Sequence, residues 1–467
     1  MGVILDSKLN WNQHLQKIIR KTQTTFAVVR RICGKKWGLR PNMVHWLYNR
    51  VIRPSIFHGT LVWWSKVMQK PTKIQLGRIQ RMAHLATTGA MKLTPTAAME
   101  VLLNLTSLDL LIMVEARMAL YRLHILKQPA APKTVAGLLS IWKNVGDLIL
   151  DIQSDYTIPV YYNSKIFNVI IGWDYWRNKD PVFPEDALIW FTDGSKANSG
   201  TGSGIFGLRT NRSFSFPLGK FATVFQTEIY ANLQCARENI RRAYNNKRIL
   251  IFSDSQVAIK ALSSPKVTSG LVAECLDALF ALASLNAVTL IWEPGHCGIL
   301  GNEEADKLAR QASATLLHGP EPALGIPKCS AKEAIKNWTE HQHYSTWSNL
   351  PGHRHGTLFI GRPCKKRADD LLKLSRHQLK MVDAILTGHA PVRGHLYIMG
   401  LFDGDPTCRF CRMETETVQH IICCCEVLAR QRYNVFGKLI VEPRDISTAS
   451  VRDLCLFVRG TGLLYLC

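Results

Sequence analysis

The feature that most constrains this chain is the run ALIWFTD at 187–193, five aliphatic or aromatic side chains followed by Thr192 and Asp193. Such a run reads as a buried strand holding one carboxylate at its tip. ILIFSD at 249–254 repeats the form and ends in Asp254, and AVTLIWEP at 287–294 is a third candidate for a core strand. GSGIFGLR at 202–209 and SFSFPL at 213–218 have the length and turn chemistry of hairpin strands. Helical periodicity falls at 224–244, directly after 254, at about 270–284, and after Gly301, where Asn302 can cap the next helix. Alternating strands and helices predict an α/β domain: a mixed five-stranded sheet with flanking helices.

A chain of 467 residues exceeds one ordinary core, so several domains are expected. A 47% hydrophobic and 20% charged composition is that of globular protein and excludes wholesale disorder. The net charge of +23 makes a polyanion the expected partner. That charge is uneven. Residues 1–100 hold 17 Lys or Arg against two acids, Asp6 and Glu100, whereas residues 187–316 hold 13 basic and 10 acidic side chains. The basic N-terminal region is therefore the candidate nucleic-acid surface, distinct from the carboxylate-bearing domain. There is no signal-like opening and no apolar run near eighteen residues, which gives the expectation of an intracellular protein, nuclear or cytoplasmic, without membrane attachment.

Outside 187–316 the pattern is helical. Residues 9–33 form a basic amphipathic helix, a second helix runs from Pro41 to about Arg53 where Pro54 is expected to stop it, and 72–87 and 95–126 continue the pattern. Residues 330–347 and 369–388 are helical again. The resulting division is a helical region at 1–130, a linker at 131–186, the α/β domain at 187–316, a helical segment at 317–400, a Cys/His segment at 401–440 and a tail at 441–467.

Parallel strands deliver their C-terminal residues to one sheet edge, where such folds place their sites. Asp193 and Asp254 end strands; Glu228 lies near a helix start and Asp306 one turn inside another. Four clustered carboxylates repel one another unless a cation lies among them. Oxygen-only ligands suit Mg²⁺, and two such ions about 3.5–4 Å apart support an in-line phosphoryl displacement. The inferred reaction is phosphodiester hydrolysis.

FTDGS at 191–195, QTEIYA at 226–231, FSDSQ at 252–256 and PGHCGILGNEEADKLA at 294–309 resemble, in order, the active-site motifs of the ribonuclease H family. The resemblance covers about 187–316 and implies a ribonuclease H-like sheet. It maps the family's metal-binding acids onto Asp193, Glu228, Asp254 and Asp306, and its mobile-loop histidine onto His296. It further implies two Mg²⁺ ions and cleavage of the RNA strand of an RNA/DNA hybrid. Gly194, Ser195 and Gln256 adjoin the acids and are candidates for backbone or 2′-hydroxyl contacts, or are simply turn and cap residues. Two rival readings are a nucleic-acid-binding relic without turnover and a transposase- or integrase-type core, which is expected to use three acids in a different arrangement.

Five of the thirteen cysteines fall within 408–425. Cys408-x₂-Cys411-x₈-His420-x₄-Cys425 offers a tetrahedral Zn²⁺ set, a zinc-knuckle-like pattern, with Cys423 and Cys424 as rivals for the fourth position. The flanks 2–15 and 374–401 resemble the segments around ribonuclease H in jockey-like non-LTR retrotransposon reverse transcriptases. Those proteins carry a similar C-terminal Cys-Cys-His-Cys cluster, whose spacing favours Cys425. The resemblance implies a retroelement-derived piece without a polymerase palm and so without polymerase activity. Asp369-Asp370, the one tempting acidic pair, reads as a helix start.

Overall fold

The computed structural model describes residues 2–32, 38–126, 153–176, 183–295, 297–352 and 354–462. The chain divides into two compact units, one formed by Met1–Leu120 with Ile335–Cys467 and the other by Tyr121–Ala334. The opening and closing helical segments, which are far apart in sequence, thus belong to one unit. No helix among the described residues is long and apolar enough to cross a membrane.

The second unit is built on a mixed sheet. β1 (Tyr156–Tyr161) pairs only with β7 (Lys266–Ser269) in a separate antiparallel ribbon. The main sheet contains β2 (Asn168–Ile170), β3 (Ala187–Lys196), β4 (Thr201–Gly207), β5 (Arg212–Gly219), β6 (Arg248–Ser253) and β8 (Ala287–Trp292), in the order β2-β8-β6-β3-β4-β5. The first four run parallel and the β3-β4-β5 end is antiparallel. Among the described residues the sheet therefore has six strands rather than the expected five. The extra one, β2, is three residues long, too short to carry a readable alternation.

The register of the three central strands follows from what they bury. Phe191 lies opposite Phe252, and Phe252 opposite Ile291. With Ile189, Leu250 and Ala305 these side chains form one core on the face covered by the helix Leu300–Ala314. Trp190, Ile249, Ile251, Val288 and Leu290, one residue out of phase, join a second core against the helices Val224–Arg241 and Gly270–Ala283. Burial on both faces explains why these strands read as continuous apolar runs.

The helix Val224–Arg241 starts at a capping box, in which Thr223 accepts from the Gln226 N–H and the Gln226 side chain accepts from Thr223. The helix Leu300–Ala314 does not use Asn302 as its cap. Its N-cap is Ile299, and Asn302 lies buried inside the first turn with its Oδ1 unpartnered among the described residues. Pro54 likewise does not end the second helix. Pro41–Leu47 passes through a π-helical turn at Tyr48–Ile52 into Arg53–Ile56, so Pro54 falls at the start of a new segment, where a missing N–H costs little. Asp369 lies within the helix Lys365–Leu372 and is not its first residue.

The helix Leu300–Ala314 packs on β4 at backbone distance. A methyl group on Gly204 would collide with Ala305 O and come within 2.6 Å of Ala309 N, and one on Gly202 would come within 2.5 Å of Ser313 N. Gly204→Ala is expected to cost about 1–3 kcal/mol or more, since backbone atoms cannot swing aside as a side chain can. Thermal unfolding of the full chain checks this through a lowered first transition; an unchanged one would contradict the backbone contact.

Candidate functional site

Three elements bring Asp193, Glu228 and Asp254 together. Thr192 Oγ1 donates to Phe252 O at 3.0 Å and ties β3 to β6 one residue before the acids. Asp193 then projects from β3 with 6% exposure, and its Oδ1 accepts the Gly194 N–H at 2.7 Å. Glu228, 5% exposed, reaches the same place from the first turns of its helix. The approach is close because Gly194 has no side chain: a methyl there would meet Thr227 Oγ1 and lie 2.7 Å from Glu228 N. Ser203 Oγ donates to Thr227 O at 2.6 Å and fixes that helical turn to β4. Half-buried Asp254 follows β6, and Trp292 Nε1 donates to its carbonyl at 3.0 Å.

One oxygen from each of Asp193, Glu228 and Asp254 lies within 4.8 Å of the other two. Asp306 is outside that group; its Oδ2 lies 2.6 Å from an Arg310 terminal nitrogen one turn along its helix. It is still near enough to act on Asp193. Burial, then Asp254, and then Asp306 push Asp193 up to about 7, against the opposing Gly194 N–H. Burial first, then Asp193 and Asp254, drive Glu228 well above the usual carboxylate range. Glu228 Oε2 is buried without a partner among the described residues. Crowded, buried and under-satisfied carboxyl oxygens are the donor set of a hard divalent cation, so the residues present fit Mg²⁺.

His296 lies outside the described residues. Gly194 and Ser195 continue β3 past Asp193 and are half-exposed. Gln256 is the first residue of the helix Gln256–Ser263, whose N-cap is Ser255, and its Oε1 accepts from Lys260 at 3.4 Å.

Sequence reasoning missed Glu293. It follows β8 directly, is fully buried, and neither carboxyl oxygen has a partner among the described residues. Burial, then Asp254 and Asp193, raise it to about 9. The signal was present in LIWEP: a third apolar strand followed at once by an acid.

A second cluster lies in the helical unit. Cys408, Cys411, His420 and Cys425 each place one ligand atom within 4.8 Å of all the others. The Cys408 and Cys425 sulfurs are 3.9 Å apart, and Cys411 Sγ is 3.3 Å from His420 Nε2. The first two cysteines sit on a tight turn closed by Cys408 N–H to Glu414 O at 2.7 Å and Arg412 N–H to Cys408 O at 2.8 Å, with Arg412 left-handed at φ 58°. Buried Glu416 braces the turn by accepting the Arg409 and Arg393 N–H groups at 2.9 and 2.8 Å. His420 Nδ1 is 2.8 Å from Glu414 Oε2, which aims Nε2 at the sulfurs. The backbone N–H of Met413 above all pulls Cys411 down to about 6, while burial pushes Cys425 up to about 12. Cys425, and neither Cys423 nor the exposed Cys424, places its sulfur in the set; burial alone does not decide this, because Cys408, Cys423 and Cys425 share one hydrophobic cluster.

A search of curated proteins found no significant match to the chain. Residues 185–314 match the family model described as RNase H, a span that holds Asp193, Glu228, Asp254, Glu293 and Asp306 and all strands of the main sheet except β2. This part of the chain is similar to ribonuclease H domains.

Proposed function

We propose that the domain hydrolyses the RNA strand of RNA/DNA hybrids with two divalent ions. The observation that carries this reading is the convergence of Asp193, Glu228 and Asp254 within 4.8 Å, inside the span that matches the RNase H model. Asp193, Glu228, Asp254 and Asp306 would hold the ions. Such ions supply an activated water and charge stabilisation at the departing oxygen. The chain's own residues hold the geometry: Gly194 admits the Glu228 helix, and Thr192 locks the strand ends. Gly194, Ser195 and Gln256 would contact the hybrid, and His296 would serve proton transfer or product release.

The flanking resemblance supports a retroelement-derived chain of the jockey-like type. The basic region would add phosphate contacts, with Lys17, Arg20, Arg30 and Arg31 all exposed on one amphipathic helix. We assign Zn²⁺ to Cys408, Cys411, His420 and Cys425, where it would act structurally.

The full chain with Mg²⁺ should cut a labelled RNA/DNA hybrid and leave RNA and DNA duplexes intact. Asp254→Asn should reduce the rate more than about 100-fold, beyond the 10–100-fold typical of outer ligand partners. Hybrid binding without Mg²⁺-dependent cleavage would favour the inactive relic instead.

For the helical segment, changing Lys17, Arg20, Arg30 and Arg31 together to Gln should flatten the salt dependence of hybrid affinity. Each lost phosphate contact removes about 0.7–0.9 from the log–log slope. An unchanged slope would remove this surface from the binding account.

Metal analysis should find about one zinc per chain, lost in Cys408→Ser and retained in Cys424→Ser. A zinc-free wild-type chain would refute the assignment.

A further inference from the structure

The three central strands carry acids at one level of the sheet, β3 within its length and β6 and β8 immediately after their ends. Thr192 pairs with Ser253 and Ser253 with Trp292, so Asp193, Asp254 and Glu293 are the next residues on adjacent strands. Parity puts them on one face. Phe191, Phe252 and Ile291, two residues earlier in each case, share a single core beneath the helix Leu300–Ala314. The Glu293 N–H donates to Ser253 O at 3.0 Å, which carries the β8–β6 ladder up to the acids. The row thus has a third member beside Asp254, on the side away from Asp193.

Glu293 lies outside the trio whose oxygens fall within 4.8 Å, so it does not share their ion in this arrangement. It is nevertheless fully buried, with both oxygens unpartnered among the described residues. A buried carboxyl group without partners destabilises a fold, and an apolar residue of similar size would pack there at less cost. Its retention calls for a reason outside stability, and its strand neighbour Asp254 supplies one.

We propose that Glu293 is a positioning residue that fixes the Asp254 carboxylate by hydrogen bonding when the domain binds its metal ions. The proposal rests on the reading of the domain as a metal-dependent nuclease. Glu293 acts through Asp254 and does not touch the hybrid, since it has no exposed surface. Partners of this kind typically tune metal affinity or turnover by about 10–100-fold.

The test compares Glu293→Val, Glu293→Gln and the wild type as full chains. Readouts are hybrid cleavage, Mg²⁺ dependence and thermal unfolding. Glu293→Val should melt higher than wild type yet lose about 10-fold in kcat and need more Mg²⁺, with the KM for hybrid unchanged. Glu293→Gln keeps a hydrogen-bonding side chain and should restore most of kcat. A structural role would instead lower the melting temperature of Glu293→Val and leave its Mg²⁺ dependence untouched. That result overturns the proposal, as does a higher-melting Glu293→Val with wild-type kcat. A Glu293→Gln variant as slow as Glu293→Val also overturns it, because negative charge would then be the property required. If the wild type cuts no hybrid, the nuclease reading fails separately, and Mg²⁺ binding measured by calorimetry still decides: weaker binding in Glu293→Val alone supports the positioning role, and equal binding refutes it.

Discussion

The in-register parallel pairing of β3 with β6 and of β6 with β8 is the constraint on which the site depends. Because side chains alternate across a strand, a slip of one residue in β6 would move Asp254 to the opposite face from Asp193. The stacked rings of Phe191 and Phe252, 5.1 Å apart, oppose that slip, as would burial of Ile291 beside them. The apolar residues two positions back thus set the separation of carboxylates that repel one another. Burial and mutual repulsion within the acidic group oppose its assembly, and the core beneath has to offset that cost.

Asp193 and Asp254 were legible in the sequence because an acid closing an apolar run changes the pattern abruptly. Glu228 and Asp306 were legible as helix-borne acids in motif order, but their unequal placement was not. A period of 3.6 does not say that Arg310, four residues on, draws Asp306 to one side. Glu293 was readable by the same strand-end rule and was missed because Pro294 and the glycine-rich loop after it read as an exit, not as part of a site. The β2 strand escaped notice because three residues have no period. Asn302 and Pro54 obeyed local propensity in the expectation and tertiary context in the structure: Ile299 starts the helix, and a π turn absorbs the proline.

The cysteine cluster was legible for a different reason. Cys408 and Cys411 sit on one short turn, His420 opens the helical turn His420–Cys424 and Cys425 follows it, so spacing alone nearly determines the geometry. What spacing could not separate was three successive cysteines. Position separates them: Cys424 is exposed, and of the buried Cys423 and Cys425 it is Cys425 whose sulfur lies 3.9 Å from that of Cys408. The bracing by Glu414 and Glu416 is likewise beyond pattern reading, because acids in a turn are ordinary until their partners are known.

Glycine explains how the acidic site is held without strong attractions of its own. At Gly194 β3 meets the start of the Glu228 helix, and at Gly202 and Gly204 the Asp306 helix lies on β4, with backbone against backbone in both places. At Gly301 the same helix rests on the Phe191 ring, where any added side-chain atom would collide. Backbone contacts of this kind leave no rotamer to adjust, so the sheet and the two helices fix the backbone from which Asp193, Glu228 and Asp306 project. A metal site requires placement to within about 0.5 Å, and rigid elements supply that more reliably than loops. The carboxylates can then remain mutually repulsive, with Glu228 Oε2 buried and without a partner among the described residues.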